Sequence, residues 1–203
     1  MELFIYEGKE EKTVLAKALE DLNVKETEII YKKEEKKGGL FKGTILRLTI
    51  VRVFDVQEYL KSLLSNICSN MGITVSFESN VRERQINIKM FSDNNPILIG
   101  KNGQTLSALT TIIKQAVYNH VGVYPYVNLD VEDYKDKQIG HLERLAKNIA
   151  REVKATKTPV TMEDMNSYER RIVHNVLNDI KGIKTESEGE EPNRHIVVKF
   201  KKE

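Results

Sequence analysis

The sequence predicts an α+β protein made of three small units, at about 1–52, 53–134 and 135–203. Segments in which apolar and polar residues alternate, as in β-strands, are interleaved with segments in which apolar residues recur every three or four positions, as in helices. The predicted strands fall into three groups, each with its own helices, and no internal repeat stands out. A chain of 203 residues is long enough for two or three such domains.

Composition and charge restrict the classes of function. The chain is 40% hydrophobic and 31% charged, which suits a folded protein with a core and a hydrated surface. Its 32 basic and 30 acidic residues give a net charge of only +2, so nucleic-acid binding would depend on local placement of charge. The single cysteine, Cys68, excludes an intramolecular disulfide and a four-thiolate zinc site. We expect no cofactor and no metal.

The location of the protein is expected to be cytoplasmic. The N-terminal sequence MELFIYEGKEEK has an acidic residue at position 2 and only a short apolar run, so it is not predicted to be a signal peptide. No apolar stretch approaches the ~18 residues that a membrane span needs.

The first unit is predicted to have the order β-α-β-β. A strand at 3–7 is followed by a helix that begins at Thr13, and then by strands in TEIIYKK and TILRLTIVRV. The charged, glycine-containing stretch 31–44 between the last two strands has two interpretations. It is either a solvated hairpin tip or a basic finger whose apolar tip, Leu40 and Phe41, contacts a partner or a phosphate backbone.

The second unit is predicted to have the order α-β-β-α-α-β. Its first helix ends at Gly72, strands follow in ITVSFES and RQINIKMF, and a short apolar segment at 96–99 leads into Gly-Lys-Asn-Gly. A long helix is then predicted to end at Pro125, and YVNLDV closes the unit as a strand. The apolar face of the first helix is formed by Leu60, Leu63, Leu64, Ile67, Cys68 and Met71.

The third unit is predicted to consist of helices packed on a small sheet. An amphipathic helix is followed by a short strand in TPVTME, a helix over 167–180, and two strands in IKTESEG and RHIVVKF. The residues of the second helix region that are expected to face the core are Met165, Tyr168, Ile172, Val173, Val176 and Ile180.

A candidate binding site lies between the two consecutive helices of the second unit. We expect a sugar-phosphate backbone to lie against the bare glycine amides of this loop. Glycines allow another backbone to approach closely, and the unpaired N–H groups and dipole at the start of a helix favour an anion. Lys101 adds positive charge there, and the preceding apolar residues offer a surface on which bases can rest. The predicted site for a single strand of nucleic acid comprises Ile97, Ile99, Gly100, Lys101, Asn102, Gly103 and Gln104.

The four residues Gly100–Gly103 taken alone are equally compatible with a plain helix-loop-helix turn. A P-loop is excluded, because Gln104 stands where Lys and then Ser or Thr would be needed. The order of elements around the loop, however, resembles a type II KH domain, in which Gly-x-x-Gly joins two consecutive helices. That resemblance implies binding of about four nucleotides.

A second candidate site is the pair Arg170 and His174, which are four residues apart and therefore share a helix face. At ~100° per residue both are expected to point mainly toward solvent. Glu169 falls inside the apolar arc, and we interpret it as the partner of Asn166 in an N-terminal capping box. A single pair of this kind on a polar helix face is also typical of an ordinary solvated surface.

The strings MEDMNSYERRIVHNVL and TESEGEEPNRHIVV resemble the R-three-H domain, named for its Arg-x-x-x-His. The resemblance implies that Arg170 and His174 bind single-stranded nucleic acid. Arg194 is a third candidate, with the alternative that a nearby glutamate holds it in a salt bridge. A KH module followed by this module resembles the Jag (SpoIIIJ-associated) family over essentially the whole chain. That family implies RNA binding, a role in cell elongation and envelope homeostasis, and pairing with a small KH-only protein, with a homodimer as a further expectation. The chain departs from the family pattern in having Asn102 in the loop and few arginines after the KH strand.

Other functions are weaker candidates. An enzyme is not expected, because none of the four histidines has an H-x-x-x-H or H-E-x-x-H partner and the acidic cluster at 130–133 has the character of a solvated turn. A protein-interaction scaffold remains open, in view of the near-neutral charge and the tip at Leu40 and Phe41. Single-stranded DNA also remains open, since RNA rests on the family resemblance. The four histidines are His120, His141, His174 and His195.

Overall fold

The computed structural model describes residues 1–36 and 45–201, and the chain divides into two compact units, 1–132 and 133–203. Within these described ranges, three separate three-stranded sheets and the accompanying helices confirm the α+β class. The first compact unit contains the first two sheets, so the division into three domains at 52 and 134 stays a prediction. The finger predicted at Leu40 and Phe41 lies outside the described residues.

The first sheet has the predicted β-α-β-β order. Its strands are antiparallel in the order β1-β3-β2, and helix α1 covers one face. Val14 and Ala18 of that helix pack on alternate residues of the central strand, of which Leu48 and Ile50 are fully buried. The helix begins two residues before Thr13. The elements are β1 (Phe4–Gly8), α1 (Glu11–Leu22), β2 (Ile29–Lys36) and β3 (Ile45–Arg52).

The second sheet and its helices also follow the predicted order. The sheet order is β4-β5-β6, with β4 and β5 antiparallel and β5 and β6 parallel. The last helix ends at Val121 because Gly122 takes a left-handed φ of 82°, which is four residues earlier than the predicted stop at Pro125. The elements are α2 (Val53–Asn70), β4 (Val75–Arg82), β5 (Gln85–Ser92), α3 (Asn95–Ile99), α4 (Gln104–Val121) and β6 (Tyr126–Val131).

The core beneath the second sheet contains most of the predicted apolar face of α2. Leu60, Leu64 and Cys68 are fully buried, and burial raises the pKa of the Cys68 thiol. Met71 is 43% exposed, so its assignment to the core was wrong, because the helix ends one residue before it.

The third sheet, in the second compact unit, has the antiparallel order β7-β9-β8. Helices α5 and α6 pack together and bury Ala146, Ala150, Val173 and Leu177. Tyr168 is 61% exposed, so its predicted place in the core was wrong. The elements are α5 (Tyr134–Thr156), β7 (Val160–Asp164), α6 (Ser167–Asn178), β8 (Ile183–Glu188) and β9 (His195–Phe200).

A search of the described residues for a helix with the length and apolarity of a membrane span found none.

Candidate nucleic-acid interface

The Gly-x-x-Gly loop is a sharply bent connection between α3 and α4. Gly100 has φ 71° and ψ 179°, a combination that is essentially restricted to glycine. A Cβ on Gly100 would lie 2.2 Å from Oγ1 of Thr105 and 2.9 Å from its backbone nitrogen. The glycine therefore allows the chain to fold back closely on the first turn of α4.

The backbone conformation at Asn102, the second variable position of the loop, explains why asparagine is suited to it. Asn102 has φ 51° and ψ 33°, the left-handed region that asparagine tolerates better than most side chains. Gly103 follows with φ 75° and ψ 13°. Asparagine in place of the basic residue expected from the family pattern thus suits this turn, although it removes one positive charge.

Hydrogen bonds inside the loop change the part that the glycines were expected to play. The N–H of Gly100 donates to the carbonyl of Pro96 at 2.9 Å, and that of Gly103 donates to the carbonyl of Gly100 at 3.3 Å. The N–H of Gln104 donates to the carbonyl of Lys101. The idea that bare glycine amides face a phosphate is therefore wrong for both glycines, whose contribution is the shape of the loop.

The surface of the loop is open to solvent. Lys101, Asn102 and Gln104 are exposed, and the two glycines are partly exposed. The three apolar residues of the preceding helix differ in exposure: Leu98 is fully buried, Ile99 is partly buried, and Ile97 is 47% exposed. Leu98 thus anchors α3 in the core while Ile97 presents apolar surface beside the loop.

The predicted capping box at the start of α6 is present. The side-chain oxygen of Asn166 accepts from the N–H of Tyr168 and of Glu169, each at 3.0 Å, and Oε2 of Glu169 accepts from the N–H of Asn166 at 3.0 Å. Oε1 of Glu169 accepts from Gln138 of α5 at 3.2 Å. Glu169 is only 5% exposed, and these bonds compensate for its burial. Burial, and then the nearby Glu169, raise the pKa of Tyr134.

Arg170 does not point mainly toward solvent, as the helical wheel suggested. Its side chain is 11% exposed, Nη1 donates to the carbonyl of Met165 at 2.6 Å, and Nη2 pairs with Glu191 at 2.8 Å. The prediction failed because the turn between β8 and β9 places a carboxylate beside this face of α6. Glu191 therefore pairs with Arg170, and Arg194 bonds elsewhere, contrary to the alternative of a salt bridge at Arg194.

His174 and Arg194 are brought together by one strand. Nδ1 of His174 lies 2.7 Å from Oγ1 of Thr185, and Nε of Arg194 donates to Oγ of Ser187 at 2.9 Å. Thr185 and Ser187 are two apart on β8 and so share a face, at a spacing of ~7 Å along the strand. His174 is exposed and Arg194 partly so. Sequence reasoning missed the two hydroxyls, although their alternation in a predicted strand was a usable signal.

Within the described residues, no cluster of three or more histidine, cysteine or carboxylate side chains could hold a metal ion.

Comparison with known domain families identifies two modules that match these two sites. Residues 57–129 match the KH domain of KhpA and KhpB, and residues 140–200 match the R-three-H domain. The first match includes the loop at Gly100–Gly103, and the second includes Arg170, His174 and Arg194.

Whole-chain comparison gives similar proteins in several bacteria. The chain is 35% identical to RNA-binding protein KhpB of Clostridium symbiosum over 210 aligned residues, which cover 100% of this chain and 94% of the relative. It is 34% identical to RNA-binding protein KhpB of Bacillus subtilis, with 86% of each chain covered. A KhpB of Streptococcus pneumoniae is 26% identical, over 75% of this chain and 48% of that protein. The chain belongs to the KhpB (Jag) family.

Proposed function

We propose that this protein binds single-stranded RNA at two places, the Gly-x-x-Gly loop and the surface formed by His174, Thr185, Ser187 and Arg194. The observation that carries the proposal is the exposed loop at Gly100–Gly103, whose backbone is held in a conformation that only glycine adopts easily. Two relatives, each named RNA-binding protein KhpB, support RNA rather than DNA as the ligand.

At the loop, we expect the shape of the backbone and the charge of one lysine to bind the RNA. The tight bend removes side chains from the path of a sugar-phosphate backbone, and Lys101 places an ammonium group beside it. Ile97 supplies apolar surface for a base. With few cations, the expected affinity is modest, because phosphate neutralisation supplies much of the binding free energy of such complexes.

At the second surface, we expect hydrogen-bonding side chains, and not the shape of the backbone, to contact the RNA. The imidazole of His174, the guanidinium of Arg194 and the two hydroxyls between them can donate to phosphate or 2′-hydroxyl oxygens. Arg170, which is nearly buried, holds the start of α6 against the turn that carries Glu191, and so positions this surface.

The loop assignment is tested by the double variant Lys101→Asp with Asn102→Asp. Asp keeps the size of Asn102 and tolerates its left-handed φ, so the fold is preserved while the local charge changes by three units. We expect at least about a tenfold loss of affinity for a single-stranded RNA oligomer, measured by fluorescence anisotropy, because repulsion replaces attraction at the phosphates.

A charge-matched control is Lys9→Asp with Thr13→Asp, two exposed positions beside the first sheet that change the net charge by the same amount. The control should bind RNA like the unchanged protein. If the loop variant binds as tightly as this control, and its crosslinking to cellular RNA is also unchanged, the loop is not the RNA site.

A small KH-only protein is the partner we propose, with a role in cell elongation and envelope homeostasis in the cytoplasm, as the family resemblance implies. The domain model that groups the KH domains of KhpA and KhpB supports this partner. The competing function, a protein-interaction scaffold, predicts partners that survive RNase treatment of a pull-down. Partners lost on that treatment favour RNA binding.

A further inference from the structure

Exposed tyrosines gather at the end of α4 that lies away from the Gly-x-x-Gly loop. The described residues include five exposed tyrosine and phenylalanine side chains: Tyr118, Tyr124 and Tyr126 at this end, and Phe54 and Tyr168 elsewhere. Tyr124 is 57% and Tyr126 72% exposed. In a chain that is 7% aromatic and has no tryptophan, three such side chains within nine residues form a distinct surface feature.

These tyrosines border a cleft of about 480 Å³ between α4, the turn that follows it, and strand β2. Tyr31, Tyr118, Tyr124 and Tyr126 line it together with aliphatic residues, and Arg84 is the charged side chain among its described lining residues. The volume falls within the range of small-molecule sites and accommodates one or two nucleobases. We call it the tyrosine cleft.

The rings of Tyr118 and Tyr124 stack on each other, and a nucleobase could stack on them as a third planar group. Tyr118 and Tyr124 stack with centroids 4.4 Å apart and planes inclined by 20°. The hydroxyl of Tyr124 donates to Oε1 of Gln115 at 3.0 Å, and Gln115 donates in turn to Asn119 at 2.9 Å. Because these bonds fix the ring of Tyr124, little side-chain entropy remains to be lost when a ligand stacks on it.

The cation at the rim is also fixed in place. Nε of Arg84 donates to the carbonyl of Glu26 at 3.1 Å and Nη2 pairs with its carboxylate at 2.8 Å. Arg84 has a left-handed φ of 67° because it is the second residue of the two-residue turn, Glu83 and Arg84, that joins β4 to β5. Because Glu26 already pairs with this guanidinium, we expect the group to offer its planar face for stacking and not its charge for binding a phosphate.

We propose that the tyrosine cleft stacks unpaired bases of the same RNA strand that the Gly-x-x-Gly loop holds by its backbone. This inference rests on the proposed function and adds a second, base-directed contact to it. The lining supplies aromatic faces and hydroxyls, no described carboxylate lines it, and α4 joins it rigidly to the loop. A single strand needs both phosphate anchoring and stacking surfaces.

The separation of the two contacts makes the proposal testable with RNA length. The 18 residues of α4 span ~27 Å at ~1.5 Å per residue. An oligomer of about four nucleotides, the usual KH footprint, would occupy the loop alone. One of about 16 nucleotides spans roughly 54 Å at ~3.4 Å per stacked nucleotide and reaches both.

The experiment compares two double variants by anisotropy with oligouridine or oligoadenine of both lengths. Tyr124→Ala with Tyr126→Ala removes the rings, whereas Tyr124→Phe with Tyr126→Phe keeps them. We expect the alanine pair to weaken binding of the longer RNA about tenfold, as loss of base stacking does, and to leave the short RNA unaffected. The phenylalanine pair keeps both rings but loses the bond that orients Tyr124, so its affinity for the longer RNA should lie between that of the alanine pair and that of the unchanged protein.

Tyrosine emission gives a second signal, since no tryptophan masks it. The longer RNA should quench emission in the unchanged protein and less so in the alanine pair. Phe54→Ala, an exposed aromatic at the start of α2 that does not line the cleft, is the matched control and should bind both lengths normally.

Three results would overturn the inference. One is unchanged affinity of the alanine pair for the longer RNA. Another is an equal loss for both lengths in a variant whose urea unfolding curve is unchanged, which would mean that the cleft adds no separate contact for the longer RNA. The last is unchanged RNA affinity with an altered sedimentation coefficient, which would make the cleft a protein contact. If the unchanged protein binds neither RNA while remaining folded, the proposed function itself fails.

Discussion

The two sites proposed for RNA are built in opposite ways. The loop at Gly100–Gly103 owes its form to backbone dihedral angles and to hydrogen bonds between its own peptide groups. The surface around His174 owes its form to side chains that bond across from a helix and a turn to one strand. A backbone-built site depends on residue type at fixed positions, so it is visible in a sequence. A side-chain-built site depends on which elements meet, which a sequence shows poorly.

The largest effect is expected from Gly100→Ala, which changes the backbone of the loop. The added Cβ would meet the backbone nitrogen of Thr105 at 2.9 Å, and φ 71° is unfavourable for alanine. Strain of this kind costs about 1–3 kcal/mol, and the loop would relieve it by changing shape. We expect the free energy of unfolding, from urea titration, to fall by that amount. RNA affinity should fall at least about tenfold, which corresponds to about 1.4 kcal/mol and is therefore comparable to the strain.

Gly72→Ala is the control that separates the strain of a positive φ from the crowding that a Cβ meets at Gly100. Gly72 has a similar φ of 73°, but a Cβ there would meet nothing within 4 Å. This variant should lose about 1 kcal/mol of stability and bind RNA normally. If Gly100→Ala behaves in the same way, the close contact with Thr105 does not control the loop and the backbone-built description is wrong.

The sequence predicted the order of elements in all three groups, because hydrophobic periodicity reports which face of each element is buried. It also predicted the capping box, because Asn166 and Glu169 interact within one helical turn. The predicted solvent exposure of Arg170 was wrong, because a helical wheel treats the helix as isolated. Glu191, which covers this side chain, lies in a turn twenty-one residues further along the chain. The tyrosine cleft was missed for the same reason, although the sequence VGVYPY already concentrates aromatic residues after a helix end.

A smaller effect is expected from Arg170→Ala, and it should appear in stability. The variant leaves the carbonyl of Met165, in a residue only 6% exposed, without this donor, and it removes a packed side chain. We expect the free energy of unfolding of the second compact unit to fall by about 2 kcal/mol. The matched control is Arg171→Ala, the exposed neighbour on the same helix, which should change it by less than about 0.5 kcal/mol. Equal effects of the two variants would show that Arg170 is not a positioning residue.

The variant His174→Ala with Arg194→Ala should have the smallest effect on stability, and its main effect should appear in binding. Both side chains bond to hydroxyls at the surface, so their loss should alter stability by less than about 1 kcal/mol in total. Each contact to RNA is worth about 1 kcal/mol, which makes the pair worth about thirtyfold in affinity at most. Removing the permanent cation Arg194 should also lower the slope of log affinity against log salt by about 0.7. A variant with unaltered affinity and unaltered slope would limit this surface to a structural role, and the backbone-built loop would then be the site on which RNA binding depends.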